Sequence, residues 1–166
     1  MLQRRILLAQ CGLLALGGCG FQLRGAVQLA FDSIYVNAGE ASLLGNELKR
    51  SLESLGTVRV VNDPAQQSGA QAILDFVSEA REKTVVGVTA TGQVREFQLR
   101  VRLKFRLRTQ QGKELIPATE LLLQRDISFN ESAVLAKEAE EGLMYRDMQS
   151  DIVQQLLRRL AAVKSL

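Results

Sequence analysis

A row of basic side chains is the most chemically suggestive feature of the sequence. Over residues 94–109 apolar and polar side chains alternate, and the polar positions include five cations: Arg100, Arg102, Lys104, Arg106 and Arg108. Period-two alternation is typical of a long β-strand with one buried face, and it places same-face side chains about 6.6–6.8 Å apart. Five like charges at that spacing repel one another, so the row predicts a neighbouring source of negative charge.

Two sources of that negative charge fit the sequence. One is the following strand, in which Glu120 and Asp126 can pair with the cations across the sheet. The other is a polyanionic partner, either a phosphorylated lipid or the acidic wall of another protein. Arginine suits such a partner because its planar guanidinium makes paired hydrogen bonds to phosphate or carboxylate.

Residues for catalysis are scarce in this chain. It contains no His, which excludes Ser–His and Cys–His nucleophile systems and His-ligated metal sites. A phosphate-binding glycine loop, a dinucleotide fingerprint and a Gly-x-Ser-x-Gly motif are also missing. The clustered carboxylates are Glu138, Glu140 and Glu141. A carboxylate-based hydrolase would need two of them facing each other across a cleft, whereas acids early in a helix also suit the helix dipole. The sequence predicts no enzyme, no metal and no cofactor.

The first 18 residues have the organisation of a secretory signal. Two arginines precede an apolar run over residues 6–16, which is too short for a stable membrane span. The junction Leu16-Gly17-Gly18-Cys19 resembles the bacterial lipobox, in which the cysteine becomes the first mature residue and carries acyl chains. Several acyl chains anchor a protein durably, since each buried methylene contributes about 0.8 kcal/mol. Cys19 is therefore the predicted lipid anchor. In lipoprotein families an Asp after the cysteine favours the inner membrane, so Gly20 favours the outer membrane.

Processing at Cys19 changes what charge and cysteine content imply. The precursor has 21 basic and 18 acidic residues. The signal carries two arginines and no acid, so the mature chain keeps 19 basic residues against 18 acidic ones and shortens from 166 to 148 residues. The basic pI therefore gives no reason to expect nucleic-acid binding. With Cys11 removed and Cys19 acylated, no intramolecular disulfide can form, and a packed core must provide stability.

Hydrophobic periodicity predicts the first elements of the mature chain. Residues 19–30 form an extended lead into a single domain at 31–166, which begins with a short strand at Ser33–Asn37. A helix follows, with Ser42 as N-cap and Gly56 as its stop. Four leucines lie on one face of this helix: Leu44, Leu48, Leu52 and Leu55. Residues 57–61 are predicted as a second short strand.

Three long strands and a final helix complete the predicted domain. The strands are placed at 72–84, 94–109 and 117–129, with a hairpin connection over 84–92. Asn130 is the predicted cap of the last helix, and Gly142 predicts a kink or break in it, because a mid-helix glycine costs about 1 kcal/mol. The apolar stripe of this helix comprises Tyr145, Met148, Ile152, Leu156, Leu160 and Val163. The order predicts an α/β (α+β) sandwich, in which a mostly antiparallel or mixed sheet of about four strands has two helices packed on one face.

Several segments resemble the LptE family of lipopolysaccharide-assembly lipoproteins. The residues Cys19-Gly20-Phe21-Gln22-Leu23-Arg24-Gly25 are similar to the mature N-terminus of that family. Gly92-Gln93, with Phe97 and Leu99, resembles its hairpin, and Leu135-Ala136-Lys137-Glu138 resembles the start of its last helix. Residues 148–160 resemble its C-terminal helix through Asp151, Gln155, Arg159 and Leu160. The resemblance extends over essentially the whole mature chain, although it rests on the combined pattern and on no single motif.

The resemblance implies a function that the residues alone do not. Members of the family form a two-protein complex with LptD, a large outer-membrane β-barrel, and sit inside it as a plug. They assist barrel assembly and bind lipopolysaccharide, without catalysis or cofactor. This implies an outer-membrane location, on the periplasmic side and inside the barrel lumen, where a charged sheet face suits polar surroundings. The alternative is another periplasm-facing lipoprotein adaptor, such as an auxiliary subunit of a lipid transporter.

The resemblance also ranks candidate contact residues. Lys137 matches a lysine position at the family's helix start and is the first candidate contact for lipopolysaccharide. It is alternatively a surface lysine paired with Glu141 at i, i+4. The family can carry a basic residue just before the Gly-Gln of the hairpin, whereas this chain has the uncharged residues 89–91 there, which leaves Arg95 as a substitute. The five cations from Arg100 to Arg108 are further candidate contacts for lipopolysaccharide or the barrel.

Overall fold

The chain forms one five-stranded sheet and two α-helices in a computed structural model that describes residues 28–166. The signal peptide and Cys19 lie outside the described residues. The elements are β1 (Ser33–Asn37), α1 (Leu43–Leu55), β2 (Arg59–Val61), β3 (Ala72–Val88), β4 (Val94–Thr109), β5 (Glu114–Ser128) and α2 (Val134–Ala161). Short 3-10 turns at Pro64–Gly69 and Glu131–Ala133 precede β3 and α2.

The sheet is mixed, with strand order β2-β1-β3-β4-β5. β1 runs parallel to both β2 and β3, and α1 makes the crossover that a parallel β1–β2 pair requires. β3, β4 and β5 form an antiparallel meander. Counting the three-residue β2, the sheet has five strands where about four were predicted, and the mixed topology is confirmed.

The two ends of α1 are fixed by the residues that the sequence identified. The Ser42 hydroxyl accepts a hydrogen bond from the Gly45 N–H at 2.8 Å, as an N-cap does. Gly56 has a φ of +67°, and its N–H donates to the Glu53 carbonyl at 3.2 Å. Glycine adopts this left-handed conformation without the steric cost that a Cβ would add.

The core lies between one sheet face and both helices. The apolar residues of β4 from Leu99 to Leu107 are each 1% exposed or less, so its alternation reflects a real division into two faces. Leu44, Leu48 and Leu52 of α1 join the same cluster, as do six residues of α2: Met148, Ile152, Val153, Leu156, Leu157 and Leu160. The predicted sandwich, with two helices on one face, is confirmed.

The long hairpin differs from the prediction in its bounds. β3 continues to Val88, four residues past its predicted end, because Thr and Val are well suited to an extended strand. The turn occupies residues 89–93, where Gly92 supplies the one positive φ, of +83°. β5 begins at Glu114, before Pro117, and the β4–β5 register shifts between Phe105 and Leu107. A proline fits there because β5 is an edge strand of the sheet.

The predicted break at Gly142 is wrong, because α2 runs without interruption from Val134 to Ala161. A single glycine costs about 1 kcal/mol, which the flanking helix formers and the packing of the second half of α2 outweigh. Asn130 does act as a cap, but for the 3-10 turn before the helix. Its side chain accepts from the Ser132 N–H at 3.0 Å.

Candidate functional site

The sheet face turned away from the helices, here called the open face, carries all five predicted cations of β4. Arg106 and Arg108 meet there at one acidic residue. Both donate through Nε to the same oxygen of Asp75, Oδ2, at 3.0 and 2.8 Å. Asp75 lies on β3 and is 6% exposed. Its other oxygen accepts from Asn37 Nδ2 at 2.9 Å.

The surroundings of Asp75 keep its carboxylate ionised. Burial alone would raise the pKa of Asp75, but hydrogen bonds from Arg108, Asn37 and Arg106 and the attraction of the Arg108 charge outweigh it. The net result is a pKa below the ordinary value of 3.8. At neutral pH two arginines therefore share one negative charge.

Of the two cations nearer the β3–β4 turn, Arg102 has carboxylate partners and Arg100 has an uncharged amide partner. Arg102 lies 3.6 Å from a Glu82 oxygen and 3.7 Å from a Glu120 oxygen. Arg100 donates through Nε to the Gln98 side chain at 2.8 Å, and Gln98 in turn donates to Asp126 at 3.0 Å. The predicted pairing with Glu120 is confirmed, whereas Asp126 bonds to Gln98 and to none of the β4 arginines.

The sequence analysis did not predict two acidic partners of the β4 arginines, because it considered carboxylates of β5 only. Asp75 and Glu82 both belong to β3, where Asp75 is paired with Arg106 and Glu82 with Arg100 in the β3–β4 register. The only available signal was a carboxylate inside a predicted strand. Lys104 is exposed, and no carboxylate within residues 28–166 lies within 4.0 Å of its ammonium.

Lys137 lies on the opposite side of the sheet, at a cleft of about 250 Å³ between β4, β5 and α2. The lining is partly apolar, through residues such as Phe97 and Phe129, whose rings meet edge to face with centroids 5.3 Å apart, and partly charged, with Glu138 and Glu141 beside the two lysines. Lys137 Nζ lies 2.8 Å from a Glu140 oxygen and donates to the Ser128 hydroxyl at 3.1 Å. The predicted pairing of Lys137 with Glu141 is wrong, because Lys137 takes the i, i+3 carboxylate.

Lys83 is the second cation of this cleft, and no pattern in the sequence indicated it. Its ammonium lies 4.3 Å from the centroid of the Phe97 ring, a cation–π contact, and 2.6 Å from a Glu141 oxygen. Lys83 and Lys137 thus stand at a partly apolar cleft and engage different carboxylates. The first turn of α2 contains no acidic residue, so the helix-dipole explanation for the three carboxylates is wrong.

Arg95, the other predicted contact, lies at the start of β4 beside the hairpin turn. It lines a separate depression with Thr89, Gln93 and Asn130, and this depression shares Phe129 with the Lys137 cleft. Arg95 and Lys137 are therefore at the same end of the molecule, whereas Arg106 and Arg108 are on the other face of the sheet.

The first half of α2 extends past the core and exposes apolar side chains. Leu135 is 82% exposed and Leu143 is 54% exposed. In the part of the chain that the structure describes, no helix has both the length and the apolar content needed to cross a membrane.

Comparisons with known proteins agree on one family. The family described as LptE, lipopolysaccharide-assembly, matches residues 31–160. A protein from Yersinia enterocolitica named LPS-assembly lipoprotein LptE is 27% identical over 98% of this chain and 78% of its own length. The protein of the same name from Pectobacterium atrosepticum is 25% identical over 88% of this chain and 78% of its own length.

Solved structures share the fold. The solution structure of lipoprotein B from Nitrosomonas europaea, described as uncharacterized, is 38% identical and covers 86% of this chain and 91% of its own, with a TM-score of 0.73. Rare lipoprotein B from Shewanella oneidensis is 19% identical with a TM-score of 0.63, and the match covers 78% of this chain and 94% of that one. The family match over most of the sequence, together with this shared fold, shows that the chain belongs to the LptE family of lipopolysaccharide-assembly lipoproteins.

Proposed function

We propose that the protein is an outer-membrane lipoprotein that plugs and helps assemble the LptD β-barrel and binds lipopolysaccharide during its insertion at the cell surface. The family match over residues 31–160 is the observation that carries this proposal. Cys19 provides the lipid anchor, on the periplasmic side of the outer membrane. The protein acts by binding, without catalysis and without a cofactor.

The cleft at Lys137 supports direct lipid binding. Lipopolysaccharide is an amphiphile whose phosphates lie close to its acyl chains, so its site needs cations beside an apolar surface. The cleft offers both, because Lys83 and Lys137 flank the apolar lining around Phe97 and Phe129. The carboxylate that now engages Lys137 belongs to Glu140, whose side chain is 50% exposed. Exchanging such a surface ion pair for a phosphate contact costs little.

The open face supports the plug role. Its cations and carboxylates alternate across three strands, as in the contacts of Arg102 with Glu82 and Glu120. A surface of this kind is compatible with the polar interior of a large barrel. Charges of both signs also give a partner a pattern to match, which contributes to specificity more than to affinity.

Charge reversal at Lys137 tests the lipid contact. We expect Lys137→Glu to weaken binding of purified lipopolysaccharide by about tenfold, the loss typical of a hydrogen bond between charged groups. Lys164→Glu is the matched control, because Lys164 is exposed beyond the end of α2. Equal lipopolysaccharide binding by both variants and the unaltered protein would show that Lys137 is not part of the lipid site.

Deleting the protein from its cell separates the proposal from the transporter-adaptor alternative. If the protein plugs and helps assemble the barrel, its deletion should lower the amount of folded, heat-modifiable LptD-type barrel in the outer membrane. An auxiliary subunit of another lipid transporter would leave that barrel folded normally, and such a result would favour the alternative.

A further inference from the structure

The cations of the open face fall into two groups with different surroundings. Arg100 and Arg102 contact Gln98, Glu82 and Glu120, as described above. Lys104, Arg106 and Arg108 form the second group, here called the proximal group, and among residues 28–166 only the carboxylate of Asp75 lies within 4.0 Å of its cations. Three positive charges therefore face one negative charge.

Two further carboxylates lie near the proximal group without contacting it. Across the β4–β5 pair, Glu114 is the register partner of Arg108, and Glu120 is that of Lys104. In residues 28–166 neither of these pairs comes within 4.0 Å, and Glu120 is instead engaged by Arg102. The positive excess is therefore not cancelled by ion pairs of the described chain.

Asp75 holds the two arginines in a defined arrangement. Each uses its Nε for the bond to Asp75 Oδ2, and the terminal Nη groups of both make no hydrogen bond to any described residue. The Arg106 side chain is 45% exposed, and the Nη groups of Arg108 are not buried, since within residues 28–166 the partly exposed residue with a buried, unpartnered side-chain nitrogen is Arg102. Two guanidinium groups thus converge on one oxygen and keep their outer donors accessible to a ligand.

We propose that Arg106 and Arg108, with Lys104 beside them, form a phosphate-binding site on the open face that Asp75 preorganises. A phosphate monoester carries about −1.5 to −2 charges and three strong acceptor oxygens. Its charge matches the excess of the proximal group, and its oxygens can accept from both guanidiniums at once. A carboxylate carries one negative charge and two oxygens, so it matches the group less well. Because the arginines are already held by Asp75, little side-chain freedom remains to be lost on binding.

This site adds a ligand contact to the proposed function, and it rests on that function only for the identity of the molecule that carries the phosphate. It lies on the face of the sheet opposite the Lys137 cleft, so the two sites are tested by separate substitutions. The phosphate belongs either to a lipid headgroup or to a free phosphate, which present the same chemistry to the arginines.

The first arm of the test uses inorganic phosphate and the whole chain purified in a nonionic detergent, at constant ionic strength. The Nε–H resonances of Arg106 and Arg108 are expected to shift saturably, while those of Arg100 and Arg102 stay in place. Arg108→Gln should weaken binding about tenfold or more, as expected for losing hydrogen bonds to a charged group. Arg106→Lys keeps the charge but loses the forked donor, so it should also weaken binding. Arg100→Gln is the matched control and should leave affinity within about twofold, because Arg100 lies away from the site and interactions between distant charges are screened by salt.

The second arm uses phosphatidylcholine vesicles containing either phosphatidic acid, a phosphomonoester, or phosphatidylglycerol, a phosphodiester. A lipid headgroup is supported as the source if the protein binds the phosphatidic acid vesicles, if Arg108→Gln weakens that binding, and if inorganic phosphate gives no response. A response to inorganic phosphate alone supports free phosphate. The proposal is overturned if neither probe acts at Arg106 and Arg108, or if Arg100→Gln weakens binding as much as Arg108→Gln. Such a failure with barrel association intact would reject this site and leave the proposed function standing.

Discussion

Replacing Asp75 by Asn tests whether this carboxylate stabilises the fold through its bonds to the arginines of the open face. The change keeps the size of the side chain but removes the charge that accepts from Arg106 Nε at 3.0 Å and Arg108 Nε at 2.8 Å. Hydrogen bonds to charged groups contribute about 1.5–3 kcal/mol each when they are buried. The arginine side chains are 45% and 24% exposed, so water replaces part of what is lost. We therefore expect the free energy of unfolding to fall by about 2 kcal/mol at neutral pH, below the sum of two buried bonds.

The pH dependence of this loss has a defined sign. The folded protein lowers the pKa of Asp75, so the carboxylate contributes stability above its unfolded pKa of about 3.9. That contribution disappears as the pH falls through the still lower folded pKa. The difference between the unaltered protein and Asp75→Asn should therefore be largest near neutral pH and shrink below about pH 4.

Urea denaturation followed by circular dichroism over a range of pH measures both effects. Glu120→Gln is the control, because Glu120 is 43% exposed and lies 3.7 Å from Arg102. An exposed pair of this kind should change stability by less than about 0.5 kcal/mol. The reasoning is refuted if Asp75→Asn costs no more than the control at neutral pH, or if its cost is unchanged in acid.

Three further substitutions test separate parts of the structure. Gly142→Ala should raise the free energy of unfolding by about 0.5–1 kcal/mol, because a Cβ there meets nothing within 4 Å inside a continuous helix; a loss of stability in urea denaturation would contradict the unbroken helix. Gln149→Leu should cost about 2 kcal/mol in thermal unfolding, since the buried amide donates to the Leu43 carbonyl at 3.3 Å and accepts from Arg81; a neutral result would mean that these bonds contribute nothing. Cys19→Ser should leave an unprocessed precursor without acyl chains, and a cleaved, lipid-labelled product would disprove the anchor assignment.

The elements that the sequence predicted well are those whose pattern is local. The alternation of β4 and the leucine spacing of α1 each follow from one face being buried, and that burial is visible in the strand or helix itself. The caps of α1 at Ser42 and Gly56 are local as well, since each acts on its own turn. These features can be predicted without knowledge of the tertiary contacts.

The charge partners on the open face depended on information that no single segment contains. Pairing of Asp75 with the arginines of β4 depends on the β3–β4 register, which includes a shift between Phe76 and Ser78. A one-residue change of register moves every side chain of a strand to the opposite face. The sequence predicted a basic row and the need for an anion, but it did not identify Asp75.

Of the residues that line the Lys137 cleft, only Lys137 was predicted as a contact residue. Lys137 entered through its resemblance to the family's helix start, and its partners followed from tertiary packing. Lys83 reaches the same cleft from β3, 54 positions away in the sequence, and takes the Glu141 carboxylate that local spacing had assigned to Lys137. Spacing rules for helices predict neighbours within a helix and do not account for competition from another strand.

Affinity purification of the tagged protein from detergent-solubilised outer membranes, with partners identified by mass spectrometry, tests the central claim most directly. The account predicts one large β-barrel of the LptD type, recovered in stoichiometric amount. The Lys137→Glu variant should recover the same barrel. Recovery of no barrel, or of an inner-membrane transporter in its place, would contradict the plug function.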